Sequence, residues 1–469
     1  MALSLREFIA ACEAKGDVVH VTREVECSPE IGYALAANNK YKRSVIVFEN
    51  VKGKDYPSVA GIFNDRAKAL LALGATEADV YDKFIHGLSN PIDPVMYKGK
   101  VAPCQEVVLT GDEIDITKLP IPQFSVLDGG PFCTAGLTVS KDPETGVPDV
   151  GHYRYQVHDS KTFGYMAQPF HRFGKNCIKA KNMGKKTWQA AIVIGAAPMT
   201  GFFGPLIGVP ETTNDFALMG GMLGEPVELV KCKTIDVEVP ADAEFIIELE
   251  VDFEETRMEG PLGEFTGYMT PASPKWVSRV KCITHRKDPL FQILLTGKPV
   301  TENHILKNIP MEASMFKALK AQFPTIKDIN VTPAGGCQTE VIISMAQRNY
   351  GDARSVILAA MATDLRPKYV VVVDPDIDVH DLNDVAWAIA YRSVPGRDTI
   401  LVENVPSSPL DPSSYLPPMK GEPDWDKISK IRINGSLGID ATFGFGMEHE
   451  QIAEVVGWQD YKFPEIGVE

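Results

Sequence analysis

Two periodicities alternate along this chain and divide it into regions. At the start, Leu5, Phe8, Ile9 and Cys12 fall on one helical face, with Arg6 and Glu7 elsewhere on the turn. That spacing predicts an amphipathic helix and not a cleaved leader. SVIVFEN (44–50) reads as a buried strand, and AKALLALGA (67–75) as a helix with glycine at its end. PIDPVMYKGKVAPCQEV (91–107) is rich in proline and glycine and marks a boundary, so residues 1–107 are expected to form an N-terminal α/β domain.

From 108 to 300 strand patterns dominate. AAIVIG (190–195) is a continuous apolar strand. EFIIELEVDFEE (244–255) places Leu249, Val251 and Phe253 on one face and Glu248, Glu250 and Asp252 on the other, the period of a strand with one wet face. RVKCITHRKDPLFQILLTG (279–297) predicts two strands joined by a Lys-Asp-Pro turn. This middle region is expected to be a β-barrel or layered β structure.

Helices and strands then alternate through EASMFKALKAQF (312–323), EVIISM (340–345), ARSVILAAMATD (353–364), KYVVVVD (368–374) and HDLNDVAWAIAYRS (380–393), with Asp381 a candidate N-cap. They predict a C-terminal α/β domain over 301–430. A loop and a tail helix (HEQIAEVVGW, 449–458) are expected within 431–469. The fold class is α/β in the broad sense, a multidomain α+β arrangement around a central β unit.

Composition narrows the function classes. Lys plus Arg number 47 against 62 Asp plus Glu, a net charge of −15. With no basic run, the chain is a poor partner for nucleic acid. An anionic substrate must find its positive charge inside a site. The eight cysteines are scattered without a CxxC pair, which suits free buried thiols in a reducing compartment. No apolar run reaches the ~20 residues of a membrane span, so a cytoplasmic protein is expected. DPDIDVHDLND (374–384) fails as a calcium loop, because Val379 and Val385 stand where glycine and a bidentate glutamate are needed. GGMLG (220–224) and FGFG (443–446) lack the strand and helix context of a dinucleotide site.

Two segments call for a chemical account. EGPLGEFTGYM (259–269) holds Glu259 and Glu264 across Gly-Pro-Leu-Gly, a stretch able to turn back and aim both carboxylates into one pocket. A surface turn with two solvated glutamates is the plain alternative. PDVGHYRYQVHD (148–159) centres on Arg154, which by itself could be a surface ion pair. Together these residue types suit a carboxylic acid substrate. A guanidinium can clamp its carboxylate with two parallel hydrogen bonds, one glutamate can hold that arginine, and the other, in an apolar setting, can deliver a proton to carbon. Loss of CO2 leaves a carbanion-like centre, which calls for an electron sink from a cofactor.

On DVGHYRYQV (149–157), FHR (170–172), LVKCKTIDVEVPADAE (229–244), EGPLGEFTGYM (259–269), AWAIAYRSVPGRDTILVENVP (386–406) and LGIDAT (437–442), the chain resembles the UbiD-type reversible decarboxylases, which use prenylated flavin mononucleotide. The resemblance implies a central split β-barrel that binds the flavin, a C-terminal α/β domain and a homodimer or homohexamer. It also implies a separate flavin prenyltransferase as supplier of the cofactor. Arg154, Glu259 and Glu264 fall on the family's catalytic set, with Glu264 as proton donor and Arg154–Glu259 as the ion pair at the substrate carboxylate. Asp149, Tyr153, Arg154, Gln168, His171 and Asp215 fall on cofactor-binding positions. Asp149, His171 and Asp215 match the ligands of a divalent ion, manganese or magnesium, which the family uses with potassium to tether the flavin phosphate. Two of these three depart from the family's asparagine, histidine and glutamate. Ser436 stands where some relatives carry a basic residue.

For the substrate, Phe170 is a candidate to stack on a flat ring, or else a core residue. Asn303 and His304 are candidates to bond a ring hydroxyl or ring N–H, or else a capping cluster ahead of Ile305. The expected reaction interconverts an aromatic, heteroaromatic or unsaturated acid with CO2 or bicarbonate. A flavin-dependent reductase and a non-catalytic subunit of a carboxylase complex are the competing readings.

Overall fold

The computed structural model describes residues 3–169, 171–206, 209–408, 410–415, 432–446 and 453. The expected tail helix at 449–458 and Phe170 lie outside the described residues.

The N-terminal part packs four helices, α1 (Leu5–Glu13), α2 (Glu30–Tyr41), α3 (Arg66–Leu73) and α4 (Val80–Ser89), around a small sheet. Ser4 caps α1 in a capping box with Glu7, and Gly74 ends α3 in the left-handed conformation that glycine adopts without strain. The sheet runs Val18–Val21, Val45–Phe48, Ser58–Ala60 and then Phe291–Gln292. The two strands expected in 279–297 around Lys-Asp-Pro are Ser273–His285 and Phe291–Gln292, and they lie in different sheets, because after His285 the chain leaves the central sheet and joins Ser58–Ala60 in parallel.

The centre is an antiparallel nine-stranded sheet. Its path runs Phe132–Cys133, Arg154–Asp159, Thr162–Met166, Ser273–His285, Phe245–Glu259, Thr187–Ile194, Leu137–Lys141 and Pro148–His152, and Val107–Thr110 also pairs with Ser273–His285. Strands 148–152 and 154–159 follow each other in sequence yet belong to opposite ends of this path, joined only through Tyr153. The sheet must therefore curl until its ends meet, which makes it the split barrel expected. Register shifts within Phe245–Glu259 and its partner bend the two longest strands to match. AIVI reads as an unbroken apolar run because both faces are covered. Ala191 and Val193 enter one core, and Ala190, Ile192 and Ile194 the other. Glu248, expected on a wet face, is fully buried and accepts hydrogen bonds from the Lys233 and Thr234 N–H groups. Helices α5 (Arg172–Asn182) and α6 (Asp215–Leu223) belong to this part.

The C-terminal part begins with α7 (Glu302–Lys320) and includes α8 (Asp352–Met361) and α9 (Leu382–Arg392), the last capped by Asp381 as predicted. Its sheet order is Ile326–Val331, Glu340–Met345, Tyr369–Val373, Ile433–Ala441, Thr399–Pro406. Ile433–Ala441 corrects the expectation of loop and tail helix from 431 onward, since it is a strand between two others. Helix α7 begins ten residues before the predicted 312 and bridges two cores. Ile305, Leu306 and Ile309 pack into the core shared with the N-terminal part, while Met311, Met315 and Leu319 enter the C-terminal core. Among the described residues no helix is long and apolar enough to cross a membrane. All eight cysteines are free and buried.

Candidate active site

Arg154 opens the strand after the Tyr153 crossover, and Glu259 ends the longest strand of the sheet. Both are buried. Arg154 Nε and Nη2 donate to the two Glu259 oxygens at 2.8 and 2.9 Å. Arg154 Nη1 donates to Glu264 Oε1 at 2.5 Å and to Thr270 Oγ1 at 3.0 Å. The three residues named from the sequence are thus brought together, through strands that lie far apart in the chain. One detail differs from the expected clamp. The two-pronged edge of the guanidinium is used on Glu259, so a substrate carboxylate would meet the Nη side that now faces Glu264.

The loop between the glutamates is folded tightly. Leu262–Gly263 pairs with Met269–Thr270, and the Glu264 N–H donates to the Tyr268 carbonyl at 2.9 Å. This places Glu264 at a turn, with its side chain about one-fifth exposed (19%), while Glu259 is sealed (1%). Gln156 pins the loop from below, a residue the sequence reading missed. Its Oε1 accepts from the Gly260 N–H at 2.9 Å and its Nε2 donates to the Gly129 carbonyl at 2.8 Å. The signal was present, because Gln156 shares a strand face with Arg154 at a spacing of two. Gly129 cannot carry a Cβ here, which would stand 2.2 Å from the Gly260 carbonyl oxygen.

Beside this set, Asp149 and Asp215 are both buried. Arg172, first residue of α5, lies between them, with Nε 3.3 Å from Asp149 Oδ1 and Nη1 2.8 Å from Asp215 Oδ2. Asp215 Oδ2 also accepts from the Val150 N–H at 2.8 Å. Burial pushes the Asp149 carboxyl up to about 7 against the pull of Arg172, and it raises Asp215 too. His171, the N-cap residue of α5, has its ring 5.8 Å from that of Tyr153. Gln168 is half-buried in the segment leading to α5, and its carbonyl accepts the His171 N–H at 3.0 Å.

The expected metal set is therefore not assembled. Among the described residues no three His, Cys, Asp or Glu side chains gather closely enough to hold an ion. The oxygen and imidazole donors suit manganese or magnesium, but the point where the two aspartates converge is taken by the Arg172 guanidinium. The crossover residue Tyr153 and the start of α5 lie together, with the Tyr153 ring near both His171 and Phe173.

From the C-terminal part, α7 contributes Asn303 and His304. For His304 the structure shows the capping reading of the two expected. Its Nδ1 accepts the Thr301 N–H at 3.0 Å in a capping box, and its Nε2 meets the Phe265 carbonyl at 2.7 Å. With both ring nitrogens engaged it is a helix cap, leaving none for a ligand. Asn303 Nδ2 donates to Thr296 Oγ1 at 3.1 Å, and its buried Oδ1 has no hydrogen-bond partner among the described residues. Ser436 is buried and donates to the Pro367 carbonyl at 2.8 Å, a structural contact within the C-terminal sheet.

Three family models match consecutive stretches. They are the 3-octaprenyl-4-hydroxybenzoate carboxy-lyase N-terminal domain over 9–88, the Rift-related domain over 96–299 and the C-terminal domain over 304–441. An uncharacterized protein of Archaeoglobus fulgidus is 33% identical over 452 residues, 92% of each chain. The UbiD-class enzyme HmfF from Pelotomaculum thermopropionicum, solved with FMN, is 31% identical with a TM-score of 0.89, covering 99% of this chain and 100% of its own. An evolved dimeric form of HmfF was solved with prFMN. Vanillic acid decarboxylase from Sedimentibacter hydroxybenzoicus, in an open form, is 28% identical with a TM-score of 0.86 and 98% coverage of both chains.

Proposed function

The chain belongs to the UbiD family of carboxy-lyases, and we propose that it catalyses the reversible, non-oxidative decarboxylation of an aromatic or heteroaromatic acid with prenylated FMN. The observation that carries this reading is the buried Arg154–Glu259 pair with Glu264 hydrogen-bonded at its open side. Tyr153, Gln168 and His171 would hold the flavin beside this group. When bound, prenylated FMN supplies the electron sink that no side chain here provides.

The protein's own residues then divide the work. Glu259 fixes the plane of Arg154, so its remaining N–H groups are aimed before a substrate arrives. The substrate carboxylate takes the Nη side of Arg154. To admit it, Glu264 gives up its bond there, which is easiest when Glu264 is protonated and no longer drawn to the cation. A protonated Glu264 is also the form that can hand a proton to the carbon that has lost CO2. Its place at a turn, with the side chain partly exposed, lets one residue serve both ends of that exchange. A divalent cation tethering a phosphate here would have to displace Arg172 from both Asp149 and Asp215. Manganese with potassium, a homo-oligomer and a supplying prenyltransferase complete the proposal.

The test is to produce the chain with and without a flavin prenyltransferase and assay aromatic and heteroaromatic acids for exchange with labelled bicarbonate. Exchange only in the coexpressed protein is expected. NAD(P)H oxidation by protein carrying unmodified flavin, with no exchange, would overturn it in favour of a reductase.

A further inference from the structure

Thr270 stands between Arg154 and Glu264. The pairing of Met269–Thr270 with Leu262–Gly263 sets it directly opposite Leu262, at the base of the turn that carries Glu264. Its side chain is buried. Thr270 Oγ1 accepts from Arg154 Nη1 at 3.0 Å. It also reaches two acceptors at one distance, Glu264 Oε1 and the Leu262 carbonyl, each at 3.2 Å. A hydroxyl has one proton, so it donates to only one of the two at a time.

Arg154 has five N–H groups to place. Glu259 takes two of them, Thr270 one and Glu264 one more. When Glu264 lets go, two are left, one on each Nη, which is the number that a carboxylate fork uses. The two groups that hold Glu264 differ in kind. Arg154 only donates and grips the carboxylate by opposite charge, so its hold weakens when Glu264 is protonated. A hydroxyl is neutral, donates and accepts, and bonds either form. It gives its proton to the ionised carboxylate. When Glu264 offers a proton of its own, the hydroxyl accepts it and turns its proton to the Leu262 carbonyl.

We infer that Thr270 is a positioning residue that keeps Glu264 docked through the change in its protonation state. As the bond to CO2 breaks, its electron pair stays with the substrate carbon and takes the proton from Glu264. The carboxylate left behind then receives the Thr270 hydroxyl as a donor, and it regains a proton from water at its exposed side. The part of Thr270 in catalysis rests on the decarboxylase reading, whereas its hold on Glu264 does not.

Two measurements on holoprotein coexpressed with a flavin prenyltransferase test this. The first needs no turnover. Glu264→Gln is a neutral stand-in for protonated Glu264, and in its crystal structure the amide should stay within hydrogen-bond distance of the Thr270 hydroxyl. With Thr270→Val added, the amide should swing to another rotamer. An amide seated alike in both structures overturns the proposal.

The second takes an acid that wild type exchanges with labelled bicarbonate and turns it over in deuterated water. Thr270→Val should slow deuterium uptake into product about tenfold or more, with bicarbonate exchange kept within about threefold and flavin content within about twofold. Thr270→Ser, which restores the hydroxyl, should recover most of the uptake. Unaffected uptake, equal slowing of both rates, loss of flavin, or Thr270→Ser as slow as Thr270→Val overturns the proposal. Wild type that exchanges none of the acids sinks the decarboxylase reading, and the two crystal structures then decide the role of Thr270 by themselves.

Discussion

Arg154 and Glu259 meet through two parallel hydrogen bonds of 2.8 and 2.9 Å, with the Glu259 side chain almost wholly sealed from water. Such a pair is costly to break from one side, because the surviving charge stays buried. Glu259→Gln should therefore lower stability by about 3–5 kcal/mol as well as cut activity by about a hundredfold or more. Thermal unfolding of the purified variant checks the first part, and an unchanged Tm would refute the sealed pair.

Glu264 behaves differently because it sits on a turn and is partly exposed. Glu264→Gln is expected to leave Tm nearly unchanged while lowering kcat by about 10²–10⁴. In deuterated water the wild type should place deuterium at the carbon that lost CO2. Undiminished CO2 release with unchanged label uptake in the variant would remove Glu264 as the donor.

Gln156 holds backbone on both sides of the loop, accepting from the Gly260 amide and donating to the Gly129 carbonyl. Gln156→Leu should lower kcat about tenfold or more with little change in KM or flavin content. Hydrogen exchange at the Gly260 amide should quicken in parallel. Slower turnover with unaltered exchange there would show that the residue is not a positioning device.

Asp149 makes a pH prediction with a definite sign. Burial raises its folded pKa to about 7, well above that of an unfolded aspartate. The folded state therefore keeps a proton that the unfolded chain has released, and stability falls as pH rises from about 4 to 7. Asp149→Asn carries no such penalty and leaves Arg172 paired with Asp215. In chelated protein its Tm should match wild type near pH 4 and exceed it by a few degrees at pH 8. A variant less stable than wild type at pH 8, or a difference independent of pH, would contradict this.

Local order was legible wherever one residue pattern had one solution. The helix at Leu5–Glu13, the cap at Asp381 and the strand around Leu249 follow from side-chain spacing alone, since periods of 3.6 and 2 each select a backbone. Gln156 was also within reach, two positions from Arg154 on the same strand face.

What the chain could not show was which distant segments would share a site. Arg154 and Glu259 stand 105 residues apart in sequence, and only the curling of the sheet across Tyr153 joins them. The Arg172 bridge between Asp149 and Asp215 and the commitment of His304 to a cap were equally hidden. The sequence alone determined which chemical groups are available and which backbone each stretch prefers, because those depend on neighbours within a turn or a strand. Tertiary structure decided which charges are neutralised and which remain for a ligand, because partners and burial are set by contacts between segments far apart along the chain.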